Sequence, residues 1–246
     1  MLRNCLKALA TLSAALLVTV AQAGPLVLSG DTNVVDDINT KAANARFFDN
    51  LLGSGTSVGV LSTDPTLCCL DSVDTAMVAY YGAKAGVSST LVNGPIGAGS
   101  LAGFDLFMIM MPEVGFGAAA VAELSSFLSG GGTLFLSGDN NSFPGENANV
   151  NALLAALGST LSLVADTLDA GFNTALVDVH PLTAGTAGFE YAATSRVSGG
   201  TTLYRTLGGS AFMTVEGFSA TVPEPGSLAL VGLALAGIGL ARRRRG

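Results

Sequence analysis

From residue 26 onward, short apolar runs alternate with stretches whose apolar residues recur at helical spacing. Residues 26–28 predict a first strand. Residues 34–52 carry Val35, Ile38, Ala42, Ala45 and Phe48 along one face and stop at Gly53, which predicts a helix. Residues 57–61 predict a second strand. The next helix is expected over 71–85, with Val73, Met77, Tyr80 and Tyr81 on one face, and a third strand over 88–92. The run 104–111 is the most apolar of this central region, as a strand covered on both faces requires. A helix over 117–128, a Gly130–Gly132 turn and a strand over 133–136 come next. Beyond them a helix over 150–157 and a strand near 161–164 are expected, and then strands such as 201–205 and 212–216 without further helical pattern. Strands and helices taking turns predict an α/β fold. Its form is doubly wound, a mainly parallel sheet with helices on both faces, making one domain over residues 24–219.

The two ends follow other rules. Arg3 and Lys7 precede an apolar run over 9–20 and then Ala21-Gln22-Ala23, the three parts of a secretory signal peptide cleaved after Ala23. That run spans roughly 18 Å as a helix, too short for a bilayer core of about 30 Å. At the other end, Pro223-Glu224-Pro225 precedes a Gly- and Ala-rich apolar helix expected over 227–241, followed by Arg242, Arg243, Arg244 and Arg245. The arginines stay cytoplasmic by the positive-inside rule, leaving everything before the helix outside.

Together these three parts resemble the PEP-CTERM sorting signal of Gram-negative bacteria, over residues 220–246. The resemblance implies an exosortase as partner, a membrane cysteine protease that reads Pro223, Glu224 and Pro225. It implies release or attachment at the cell surface, often among extracellular polysaccharide. The export route implies the secretion translocon and signal peptidase as earlier partners.

Of 11 Lys and Arg, six lie in the two signals, and of 18 acidic residues one does, so the central segment carries a net charge near −12. Such a field disfavours nucleic acid and anionic lipid as partners and is compatible with cations or simply with solubility, so no nucleic-acid partner is expected. Between the signals, no apolar run reaches about 18 residues, so this region is not a transmembrane bundle. With Cys5 lost in the signal peptide, Cys68 and Cys69 remain, side by side. In an oxidising compartment they suggest a vicinal disulfide stiffening a loop, with an intermolecular bridge or two thiols as alternatives.

The layout also resembles the class I glutamine amidotransferase-like superfamily, especially its non-amidotransferase branches. It rests on Leu101-Ala-Gly-Phe-Asp-Leu-Phe, on Gly130-Gly-Gly-Thr-Leu-Phe-Leu-Ser-Gly-Asp139 and on His180-Pro-Leu-Thr-Ala-Gly185. In that superfamily's amidotransferases a cysteine nucleophile sits in the turn after a central strand. Here the matching turn, Leu136-Ser137-Gly138-Asp139, has none, and Pro181 and Leu182 follow His180 where the family has His-x-Glu. Glutaminase activity is therefore not expected.

One catalytic alternative uses Ser137 as nucleophile and His180, the only histidine, as base, with Asp139 or Asp178 orienting it. A hydrolase of extracellular polysaccharide or other envelope polymer would follow, as the alternative to the leading expectation of a non-catalytic binding or structural domain at the cell surface or in the extracellular matrix. The other candidate site is a rim: Asp31, Asp64, Glu113 and Asp139 each come shortly after an expected strand. In a doubly wound sheet such positions converge on the ligand crevice, where carboxylates hold calcium or magnesium or else cap the next helix. No organic cofactor is expected, because neither Gly94–Gly99 nor Gly130–Gly132 has the spacing of a dinucleotide loop. The loop over 138–149 is long and polar and suits a cover for the crevice.

Overall fold

The computed structural model describes residues 23–62 and 73–217. Both terminal signals, Asp64, Cys68 and Cys69 lie outside the described residues. Among those described, no helix is long and apolar enough to cross a membrane.

Strands β1 (Pro25–Ser29), β2 (Ser57–Leu61), β3 (Ser88–Val92), β4 (Leu106–Met110) and β5 (Thr133–Ser137) form the parallel part of the main sheet. Helices α1 (Ala42–Leu52), α2 (Val73–Gly82), α3 (Ala118–Ser129) and α4 (Pro144–Ala156) alternate with them. A second group of strands comprises β6 (Ser162–Thr174), β7 (Leu176–Val177), β8 (Glu190–Ser198), β9 (Thr201–Arg205) and β10 (Ala211–Gly217). The eight-stranded sheet runs β3-β2-β4-β5-β1-β10-β9-β7, with β10, β9 and β7 joined antiparallel, while β6 and β8 pair separately. The sheet is thus mixed, and its parallel half carries the helices.

Strand alternation divides the core into two layers. Val27, Met108, Met110 and Phe135 point to the side covered by Phe47, Phe48 and Leu51 of α1 and Met77 and Tyr81 of α2. Leu26, Leu28, Phe107 and Ile109 point to the other side, against Leu124 and Leu128 of α3 and Val150, Leu153 and Leu154 of α4. Helices therefore cover both faces, as expected. The first layer is held by aromatic contacts, with Phe189 stacked on Tyr204 at 3.9 Å and Tyr191 on Phe212 at 4.5 Å between ring centroids.

The strand order departs from the flavodoxin-like 2-1-3-4-5: the outermost parallel position is filled by the first strand of the chain, β1, not the last, and the sheet continues beyond it through the antiparallel β10, β9 and β7. There β1 is paired on both sides, with β5 (Leu28 opposite Leu136) and with β10 (Pro25 opposite Gly217).

Two helix boundaries move. α1 begins at Ala42, and residues 32–40 form turns although Val34, Val35 and Ile38 are fully buried. The cause is local: Asn33 N–H donates to Asp31 Oδ1 at 2.7 Å, and Asp37 takes a positive φ of 49°. Side-chain bonds to the backbone compete with a helix, and the apolar period survives without it. Conversely α4 starts at Pro144, suited to a first helical turn, and absorbs half of the expected 138–149 loop.

The small β6–β8 sheet docks through Gly30. Its N–H donates to Phe212 O and its carbonyl accepts from Ser195 N–H, both at 2.7 Å, and a Cβ there would lie 2.0 Å from Ser195 O. Gly30→Ala is expected to destabilise the domain by about 1–3 kcal/mol in urea unfolding. Gly97→Ala, with open space around it, should stay within about 0.5 kcal/mol of wild type.

Candidate functional site

Chain direction reverses between β2 and β4: β3 lies outside β2, and the chain then crosses back to build β4 and β5 on the other side. The connections at such a point diverge and leave a crevice beyond the carboxyl ends of the strands. A cleft of about 530 Å³ occupies it, within the range of small-molecule sites. Leu61 and Ser62 end β2 on one wall, Gly94, Pro95 and Ile96 follow β3, and residues 112–117 follow β4. Ala119 and Ala120 of α3 complete the lining.

Local backbone builds this shape. Met111, fully buried at the end of β4, has a positive φ of 45°, unusual for a residue with a side chain, and it turns the chain out of the strand direction. Its N–H donates to Ser137 O at 2.9 Å, and Asn149 Nδ2 of α4 donates to Pro112 O at 2.9 Å, so both ends of this bend are tied down. Val114 then stands 78% exposed at the mouth. α3 opens at Gly117 with no side-chain cap. Apart from Ser62 and Glu113, the lining side chains are apolar or absent.

The expected acidic rim separates into parts. Asp31 and Asp139 meet at the ends of the adjacent strands β1 and β5, while Glu113 lines the cleft. Among the described residues, no three His, Cys, Asp or Glu side chains gather to hold a metal ion. Asp31 is wholly buried, and its carboxylate accepts from Asn33 N–H, Asn33 Nδ2 and, at 2.6 Å, Ala192 N–H. Asp139 accepts from Asn140 N–H and Nδ2 at 2.7 Å and from Thr32 N–H at 3.4 Å. Asn147 of α4 brackets Asp139 by bonding its N–H and its carbonyl. Burial and the facing Asp139 charge push Asp31 up to about 7 despite its donors. Burial pushes Asp139 up to about 6.

Ser137 and His180 are placed apart. Ser137 is fully buried on β5, its Oγ 2.9 Å from Thr32 Oγ1. His180 follows β7, and β1, β10 and β9 lie between β5 and β7, so the lateral separation is about 19 Å by strand spacing. The imidazole Nδ1 accepts from Leu182 N–H at 3.1 Å, capping a short 3-10 turn over Pro181–Thr183 that Asn50 of α1 holds through Leu182 O and Ala184 O. Partial burial lowers the His180 pKa, favouring this neutral acceptor form. Asp178 lies beside neither Ser137 nor the cleft residues; it pairs with Arg205 at 2.9 Å.

Sequence reasoning did not single out Ile96, Val114 or Phe116. The prolines and glycines after β3 and β4 marked their loops, but only the strand order shows that the loops face each other.

The fold defines an α/β domain with an open crevice where its strand order reverses. Residues 221–245 match the PEP-CTERM protein-sorting motif, the signal of an exported surface protein processed by an exosortase. No curated protein and no solved structure matches the chain, and the amidotransferase-like resemblance rests on sequence layout alone.

The two buried aspartates predict a pH dependence. Both folded-state pKa values lie above the ordinary 3.8, so the folded domain holds protons that the unfolded chain releases. Their contribution is complete at low pH and is lost as pH rises through about 6 to 7. The melting temperature should fall between about pH 4 and about pH 7 and level off above that, and Asp139→Asn should flatten the slope. A melting temperature that rises over this interval would show that the hydrogen bonds to the carboxylates outweigh their burial.

Proposed function

We propose that this is an exported surface protein whose α/β domain binds a ligand non-covalently in the cleft between β2 and β4, as part of the extracellular matrix. The observation that carries the binding role is the cleft itself: about 530 Å³ at the strand-order reversal, apolar within and open at its mouth. Support for the location comes from the sorting motif over residues 221–245. Extracellular polysaccharide is the ligand class that this location brings into reach. A sugar's apolar ring face suits walls such as Ile96 and Phe116, and the acidic charge of the domain disfavours polyanions. Against a hydrolase using Ser137 and His180 stands the separate hydrogen bonding of the two side chains.

The sorting half is tested by intact mass in the native cells, with and without the exosortase gene. The mature form should begin after Ala23 and lack the arginine tail, and the tail should persist only when the enzyme is missing. An arginine tail retained in normal cells would make this a permanently anchored protein. The binding half is tested on immobilised polysaccharide purified from the producing cells. Ala119→Trp, an exposed position lining the cleft, should weaken retention about tenfold or more while leaving the melting temperature unchanged. Equal retention of both forms, or none of either, would remove the cleft from the proposal.

A further inference from the structure

β3 ends at Val92, whose carbonyl accepts from Ser62 N–H at 2.9 Å, and the chain then leaves the sheet through Asn93-Gly94-Pro95 onto the lip of the cleft. We propose that Asn93 is a self-modification site, converting to aspartate and isoaspartate through a succinimide formed with the Gly94 backbone nitrogen.

Asn93-Gly94 is the single Asn-Gly pair in the sequence. Both residues are exposed, and Gly94 has a positive φ of 93° with nothing within 4 Å of the position a Cβ would take. Gly94 therefore has no side chain to screen its nitrogen, and no other part of the chain crowds the side on which one would project. Among the described residues, neither the Asn93 side chain nor the Gly94 N–H makes a hydrogen bond that would hold it back. At the Asn140-Asn141-Ser142 run the corresponding groups are engaged. Ser142 N–H, next to Asn141, donates to Asn140 Oδ1 at 2.9 Å, and Asn141 Oδ1 accepts from Thr167 Oγ1 at 2.7 Å. Asn141 N–H, next to Asn140, donates to Thr167 Oγ1 at 3.3 Å.

The Gly94 nitrogen gives its proton to solvent base and attacks Asn93 Cγ. The new N–Cγ bond closes a five-membered ring, the Cγ–Nδ2 bond breaks, and the amide nitrogen leaves as ammonia. Water then adds to one of the two ring carbonyls. Addition at Cγ gives aspartate; addition at the main-chain carbonyl carbon gives isoaspartate, with the chain rerouted through the side-chain methylene. The net change is one amide and one water converted to one carboxylic acid and one ammonia, with no oxidant or reductant. At neutral pH the product carries a new negative charge, one residue before Gly94 on the lip of the cleft that Glu113 also lines. This chemistry is independent of what the cleft binds.

The test uses the processed protein as exported, held at about pH 8 and about 37 °C for days and followed by intact mass and anion exchange. A gain of about 1 Da should accumulate, map to the peptide containing Asn93, and yield sites that an isoaspartyl methyltransferase labels. Asn93→Gln should abolish it without moving the melting temperature. A constant mass, a gain mapping to another asparagine, or an unchanged rate in Asn93→Gln would overturn the proposal.

Discussion

The fold depends on β1 being paired along both edges. Leu26 to Ser29 lie beside Leu134 to Ser137 on one side, and Pro25 to Ser29 lie beside Gly217 to Met213 on the other. This strand joins the parallel half of the sheet, whose strands alternate with the four helices, to the antiparallel half, against which α1 also packs through Phe47 and Tyr204. Its carboxyl end leads directly into a buried polar cluster. Gly30, Asp31 and Asn33 bond Ser195 and Ala192 of β8, and Asn44 of α1 bonds Val34 O, Glu190 O and Glu190 N–H. These bonds seat the small β6–β8 sheet on the main one. A buried donor or acceptor left unpaired costs more than a made bond contributes, so this seam tolerates few substitutions.

That seam explains why the acids that attract attention in the sequence do structural work. Asp31 and Asp139 lie where a doubly wound fold places functional side chains, but their oxygens already accept from backbone and amide donors close at hand. The open chemistry of the same end of the sheet lies further along, where β4 swings out at Met111. A non-glycine residue in the left-handed region is a local strain, and here it accompanies the loop that forms the cleft wall.

Much of the fold was legible because each parallel strand is a compact apolar run and each helix keeps its period. β3 and β9 match their expected bounds, and the central run expected over 104–111 holds β4 at Leu106–Met110, buried throughout. The start of α1 was not legible: Val35 and Ile38 keep helical spacing while packing into the core from a turn. β6 was shortened in the expectation because its thirteen residues are largely exposed and pair with β8 through two register shifts, so no strict alternation marks it. The site was less legible than the fold. Acids after strands can be read locally, whereas a cleft is a relation between loops that strand order alone brings together. The placing of β1 beside β5 and β10 depends on residues about one hundred and nearly two hundred positions away, which no local pattern reports.

The pairing of Pro25 with Gly217 brings the beginning and the end of the domain to one pole. The parallel strands run away from that pole, and with five residues each they carry their carboxyl ends about 17 Å from it. The domain therefore has a foot and a rim: Pro25 and Gly217 meet at the foot, and the bowl between β2 and β4 opens at the rim, at the opposite ends of the strands.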